Sequence, residues 1–243
     1  MQMRRLYPES APDVDVADAY AIPTDTGRHL RVNMVSSADG AATVDRRVGA
    51  LSGPADQQLL HLLRGLCDVL LVGAATVRAE GYGPLELPEE ARRRRTGAGR
   101  LPVPRMAILT REIALDLDAP VFTSATDRPI VLTTGRAPAE RRAAAAEVAD
   151  VVVAGDQQVD LPRALDALVE RGMPRILSEG GPQVLAELLA HDLVDELCLA
   201  IAPLVTCGAE TRITAGPALA TPMRLALAQV LEQDEFLFLR YTR

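Results

Sequence analysis

From Leu30 onward, short apolar runs alternate with segments of helical period. Leu30–Val35 reads as a strand entering the turn Ser36-Ser37-Ala38-Asp39-Gly40. Ser52-Gly53-Pro54 opens a helix that Ser52 can cap, and Leu59, Leu62, Leu63 and Leu66 share one face of it. Val69–Val72 is a short buried strand, and Gly73-Ala74-Ala75-Thr76-Val77 turns into a brief helix. Further strands are expected at Met106–Leu109, Ile130–Leu132, Val151–Val153, Arg175–Leu177 and Glu196–Ala202. Helices are expected at Ala139–Ala149, Leu161–Glu170 and Gln183–Ala190. Met223–Leu231 and Glu235–Tyr241 close the chain as a hairpin. The rhythm predicts an α/β fold: one domain over residues 28–243, with a mostly parallel central sheet, flanking helices and an antiparallel C-terminal edge. Residues 1–27, polar and holding Pro8, Pro12 and Pro23, read as an irregular lead-in. Gly81–Pro104 reads as a loop, with Arg92–Arg95 solvated.

Composition narrows the chemistry. All 26 basic residues of the 243 are Arg, which excludes a Schiff-base lysine, a pyridoxal-phosphate enzyme and a P-loop. The net charge of −7 argues against nucleic acid and anionic membrane as partners. No run approaches the ~20 apolar residues of a membrane span, and Met1–Ser10 lacks the apolar stretch of a signal peptide. Cys67, Cys198 and Cys207 carry no CxxC spacing, so a cytoplasmic protein with reduced thiols is expected. His29, His61 and His191 stand too far apart in sequence for a metal motif, and neither GxSxG nor a strand-following GxGxxG occurs.

Three strand ends remain as candidate chemistry: Asn33–Gly40, Gly73–Thr76 and Ser178-Glu179-Gly180-Gly181-Pro182. In open α/β sheets ligands bind at such carboxyl ends. The third turn has a mechanism, because paired glycines admit a ligand and the next helix offers unpaired N–H groups to a phosphate. Tight-turn packing explains the same residues without a ligand. Asp39 and Glu179 end separate strands that a shared pocket could collect.

Taken in order, Val32–Gly40, Leu62–Ala79, Leu177–Pro182, Leu193–Leu197 and Ile201–Pro203 resemble the pyrimidine reductase family, the C-terminal reductase domain of the bifunctional riboflavin-biosynthesis deaminase–reductase. The resemblance spans residues 30–240. It implies a dihydrofolate-reductase-like fold, NADPH as hydride donor, a homodimer, and reduction of the ribosyl carbon of 5-amino-6-(5-phosphoribosylamino)uracil. It implies substrate-side roles for Asp39, Arg64 and Glu179, with Asp39 and Glu179 as catalytic candidates beside Asn33 and Ser37. On the cofactor side it points to Val35, Gly73, Thr76, Thr110, Gly180, Gly181, Pro182, Val184 and Leu185. Arg111, next to Thr110, is suited to a 2′-phosphate.

The chain departs from the family pattern at Ala41, where Lys or Arg is usual, and over Glu80–Leu87, which lacks the basic residue that helps hold the substrate phosphate. The Ser and Trp often found before the Leu-Arg helix are missing as well. A reductase of a pterin or dihydrofolate-like substrate is therefore a second expectation. A non-catalytic NADPH-binding dimer is a third, opposed by the retention of Asp39, Arg64 and Glu179.

Overall fold

The structure, a computed structural model, describes residues 1–22, 27–45 and 47–243. Its strands are β1 (Gln2–Tyr7), β2 (Ala11–Asp15), β3 (His29–Ser37), β4 (Val69–Gly73), β5 (Arg105–Leu109), β6 (Ile130–Thr133), β7 (Asp150–Val153), β8 (Arg175–Ser178), β9 (Glu196–Ala202), β10 (Ala226–Gln233) and β11 (Phe236–Thr242). Its helices are α1 (Val16–Ala19), α2 (Pro54–Leu66), α3 (Ala74–Glu80), α4 (Glu89–Gly97), α5 (Pro120–Thr123), α6 (Ala139–Val148), α7 (Leu161–Val169) and α8 (Pro182–Ala190). The strands form one sheet in the order β2-β1-β10-β11-β9-β3-β8-β4-β5-β6-β7. Seven of them, β9 to β7, run parallel. The expected α/β class and the single mostly parallel sheet are therefore observed.

Both faces of the parallel region are covered, so its strands read as continuous apolar runs. Along β4 the side chains alternate between two cores. Leu70 and Val72 join Leu59 and Leu63 of α2 on one face. Val69 and Leu71 join Leu165 and Leu168 of α7 and Leu185 and Leu188 of α8 on the other. Asp160 caps α7 by accepting from Arg163 N at 3.0 Å, with Pro162 in the first turn. Each fully buried leucine contributes roughly 1.5–3 kcal/mol to holding these layers together.

Four expectations need correction. Residues 1–22 are not simply irregular, and residues 23–26 of the expected lead-in lie outside the described residues. β1 and β2 form an antiparallel pair, β1 joins β10, and Val16 and Tyr20 are fully buried. The polar surface of an edge pair hid the strands. The C-terminal hairpin consequently lies inside the sheet, with β2 as the edge. The Arg92–Arg95 run lies on α4 rather than in a loop. Arg95 is buried and donates to Leu101 O at 2.8 Å, to Gly65 O at 3.0 Å and to Cys67 O. With Arg100, which donates to Leu66 O at 3.0 Å, it satisfies carbonyls at the end of α2. Finally, Gly53 occupies the cap position of α2 without a side-chain bond, and the Ser52 hydroxyl turns to Asp56.

Candidate active site

The carboxyl ends of the parallel strands meet along one edge of the sheet, where a cleft of about 360 Å³ opens. Asn33 and Val35 of β3, Asp56 and Arg64 of α2, Thr76 of α3, Tyr82 and Glu179 line it. Glu179 N donates to Leu71 O at 3.1 Å, which prolongs the β8–β4 pairing by one residue and aims the side chain into the cleft. Arg64 stands in the last turn of α2 and reaches it as a bidentate fork, Nε to Oε1 at 2.6 Å and Nη2 to Oε2 at 2.7 Å. The Glu179 side chain keeps only 6 % of its exposure. Helix α3 ends at Gly81 in the left-handed region, φ +63°, and the following Tyr82 hydroxyl donates to Glu179 Oε2 at 2.6 Å. The Arg64 guanidinium also sits 5.9 Å from the Tyr82 ring centre.

These contacts set the protonation states. Burial, then the Glu179 charge, pushes the Tyr82 phenol well above its ordinary range, so it acts as a donor. For Arg64, burial pulls down, and the hydrogen bonds and charge of Glu179 outweigh it and raise the guanidinium. Nearby, Asp56 is 5 % exposed. Its Oδ2 accepts from Ser52 Oγ, and Ser52 Oγ accepts from Gln57 Nε2 at 2.6 Å. Burial raises the Asp56 carboxyl, the Ser52 bond opposes this, and the Glu179 charge adds to the rise. Asn33 lines the same cleft with its Oδ1 buried and unpaired.

The glycine turn is built differently from the expectation. Gly181 N donates to Thr76 Oγ1 at 2.9 Å, Gly180 N to Ser178 Oγ at 3.2 Å, and Gly73 N to Gly180 O at 2.9 Å. The glycine N–H groups thus serve the turn itself. The side-chain-free backbone lets three elements approach: a Cβ on Gly73 would stand 3.0 Å from Val184 Cγ2, and one on Gly181 would stand 2.8 Å from Thr76 Oγ1. The N–H groups of Gln183 and Val184, in the first turn of the uncapped α8, have no partner among the described residues. They are the donors available to an anion, whereas Pro182 has none; like Gly73, Gly180 and Gly181, these residues of the α8 start stand outside the set that lines the cleft.

Several expected residues lie elsewhere. Asp39 does not line the cleft. Its carboxylate accepts from Ser37 Oγ at 2.5 Å, from Cys207 N at 2.8 Å and from Thr206 N at 3.2 Å, which ties the turn after β3 to the loop after β9. The Ser37 bond, then the Cys207 bond, holds it at about 2. Asp39 and Glu179 therefore do not share the pocket, because the turn carries Asp39 away from the strand end. Ser37 is buried with its hydroxyl engaged on Asp39. Leu185 belongs to the core and its N–H donates to Gly181 O, so it offers nothing to a cofactor. Thr110 is buried at the end of β5, and Arg111 beside it is exposed, both outside the cleft. The sequence reading missed Tyr82 and Asp56. A tyrosine in a loop rich in Gly and Pro, and an acid in the first turn of a helix starting Ser-Gly-Pro, were the available signals.

A mostly parallel sheet with a carboxylate–guanidinium pair in a cleft at its carboxyl edge is the frame of an α/β ligand-binding domain. Residues 28–237 match the RibD C-terminal domain, and the chain belongs to that family. It is 31 % identical over 231 residues to the 2,5-diamino-6-ribosylamino-4(3H)-pyrimidinone 5′-phosphate reductase of Methanothermobacter thermautotrophicus, covering 88 % of this chain and 97 % of that one. The enzyme of the same name from Archaeoglobus fulgidus is 28 % identical, over 75 % of this chain and 84 % of its own. The crystal structure of a pyrimidine reductase-like protein from Corynebacterium diphtheriae superimposes with a TM-score of 0.85 at 30 % identity, over 94 % of this chain and 98 % of the other. The family and its relatives are oxidoreductases acting in riboflavin biosynthesis. No helix among the described residues is long and apolar enough to cross a membrane.

Proposed function

We propose that this chain reduces the ribosyl carbon of a 6-ribosylaminopyrimidine 5′-phosphate, with NADPH as the reductant. The observation that carries the reading is the Arg64–Glu179–Tyr82 unit, which holds a carboxylate in a fixed pose in the cleft wall, three residues ahead of the uncapped start of α8. The two unpaired N–H groups in the first turn of α8 suit a pyrophosphate oxygen. When bound, NADPH supplies a hydride, and the protein's task is orientation, charge placement and exclusion of water.

Each residue has a definable part. Gln183 and Val184 N–H groups bind phosphate oxygen, assisted by the positive end of α8. Thr76 fixes the turn through Gly181 N. Arg64 and Tyr82 together fill three of the acceptor positions of Glu179 and leave one lone pair, on Oε1, to accept from an amino or amide N–H group of the heterocycle. Tyr82 keeps its proton on Oη. The exposed Arg111, two residues past the end of β5, suits the adenosine phosphate of NADPH. A cytoplasmic homodimer completes the reading. Three cysteines that form no disulfide support the compartment, and the family resemblance supports the dimer.

One observation favours a second substrate. Arg64 is the sole basic residue among the described residues lining the cleft, and Glu179 occupies it. Among the described residues, a substrate phosphate finds no free cation there. A dihydropterin, which has the same 2-amino-4-oxo pyrimidine edge and no phosphate, is the alternative acceptor. Loss of reduced-nicotinamide absorbance on mixing the protein with NADPH and each acceptor tests both. Turnover of the ribosylaminopyrimidine phosphate upholds the first reading, turnover of the pterin alone upholds the second, and inertness toward both refutes the assignment.

A further inference from the structure

Asp56 is a buried carboxylate in the cleft wall that the proposed mechanism leaves without a task. It is 5 % exposed and lines the cleft. One oxygen, Oδ2, accepts the Ser52 hydroxyl, which the Gln57 amide in turn holds. The other, Oδ1, has no partner among the described residues, and it is not among the polar atoms sealed from solvent. Its remaining access is through the cleft. Among the described residues no basic side chain is paired with this carboxylate; Arg64, on the same helix, is forked onto Glu179. A buried carboxylate with a single neutral donor is under-satisfied, and burial raises it. A ligand bringing two adjacent N–H donors would relieve that deficit.

We infer that Asp56 reads the 2-amino and ring N–H edge of a 2-amino-4-oxopyrimidine, so that it sets preference for a 2-amino over a 2-oxo ring. The inference rests on the proposed function for the presence of a pyrimidine in this cleft. The relatives' substrate carries an amino group at position 2, whereas the uracil implied by the family resemblance carries an oxygen there. The amino ring presents two neighbouring donors along its N2–N3 edge, complementary to a carboxylate. The uracil places its O2 acceptor against the same carboxylate, and two acceptors facing each other repel. Ser52 is the positioning residue, since its hydroxyl fixes the rotation of the carboxylate. The same edge occurs on a pterin, so Asp56 would serve either acceptor named above.

The test compares calorimetric affinities for 2,5,6-triamino-4(3H)-pyrimidinone and 5,6-diaminouracil, in the wild type and in Asp56→Asn, together with kcat/KM for the two corresponding ribosylamino phosphates. The wild type is expected to prefer the amino ring on the order of 100-fold. Asp56→Asn, which exchanges one acceptor for a donor, is expected to bring the ratio below about 10-fold. Because the readout is a ratio within one preparation, partial unfolding leaves it unaltered. Should Asp56→Asn not fold at all, Ser52→Ala keeps the charge and is expected to lower the ratio about 3-fold. A wild type without preference, or a ratio unchanged by both variants, overturns the inference. Preference in binding without turnover of either phosphate would uphold it and refute the proposed reaction instead.

Discussion

Arg64 and Glu179 are 115 residues apart in sequence and meet through two parallel N–H···O bonds of 2.6 and 2.7 Å at the base of the cleft. Their side chains keep 16 % and 6 % of their exposure, so each charge depends on the other for compensation. Arg64→Gln is expected to destabilise the protein by about 3 kcal/mol, because Glu179 would be left as an uncompensated, nearly buried anion. For a chain of this size that lowers Tm by roughly 6–12 °C. A thermal melt unchanged to within a degree would show that the pair contributes nothing to folding.

Glu179→Gln should separate chemistry from cofactor binding. The amide retains the volume and one acceptor but loses the charge that faces the heterocycle. Turnover is expected to fall at least about 100-fold while NADPH affinity changes less than about 3-fold. Equal losses in both would remove Glu179 from the substrate side. Tyr82→Phe keeps the ring beside Arg64 and loses the donor to Oε2, with an expected loss in kcat/KM of about 10-fold.

A second buried acid governs stability rather than chemistry. Glu196 accepts from Arg31 at 2.7 Å, from Arg240 at 3.0 Å and from His29 at 3.3 Å, at the amino ends of β3 and β9. Burial alone would raise its carboxyl, but the His29 bond and the two guanidinium groups hold it well below its ordinary 4.5. A depressed carboxyl contributes stability that is fully present above about 4.5 in pH and drains away as pH falls below it. Urea unfolding is therefore expected to show a falling midpoint in that acid window. Glu196→Gln should flatten the dependence while lowering neutral stability by about 3–5 kcal/mol. An acid profile identical in the two proteins would locate the linkage elsewhere.

The glycine turn gives a steric prediction. A methyl group at residue 181 would press on Thr76 Oγ1 at 2.8 Å, closer than side-chain carbons sit to oxygen. Gly181→Ala is expected to displace the start of α8 and weaken NADPH about 10-fold. Unaltered affinity would show that the turn has slack.

What the sequence disclosed follows from how strongly each feature patterns the chain. The parallel strands from β3 to β9 and the helices α2, α7 and α8 declare themselves through period, because both faces of the sheet are covered and one side of each helix is buried. β1 and β2 did not, since an edge pair with Arg4, Arg5, Glu9 and two prolines carries the composition of a loop. Helix α4 was hidden by its four arginines, of which Arg95 turns inward to cap α2. Among the residues that line the cleft, Glu179, Thr76 and Val35 were legible from strand ends and family resemblance together, and Arg64, on a helix, from the resemblance alone. Asp39 was misplaced because a residue two positions beyond a strand can leave the edge within one turn. Asp56 and Tyr82 were missed because burial of a polar group depends on elements far apart in sequence, here the α3–α4 connection folding over α2.

The central claim is that a dinucleotide phosphate rests on the first turn of α8. Gln183 is exposed there, and an acid at a helix start strengthens the helix by about 0.3–1 kcal/mol while it repels a bound phosphate. Calorimetric titration of NADPH into the wild type and into Gln183→Glu, beside a thermal melt of each, sets these two effects against one another. Micromolar-range binding by the wild type and about 10-fold weaker binding by the variant, with its Tm unchanged or raised, is the predicted result. No binding by the wild type, or equal affinity in the two proteins, contradicts it.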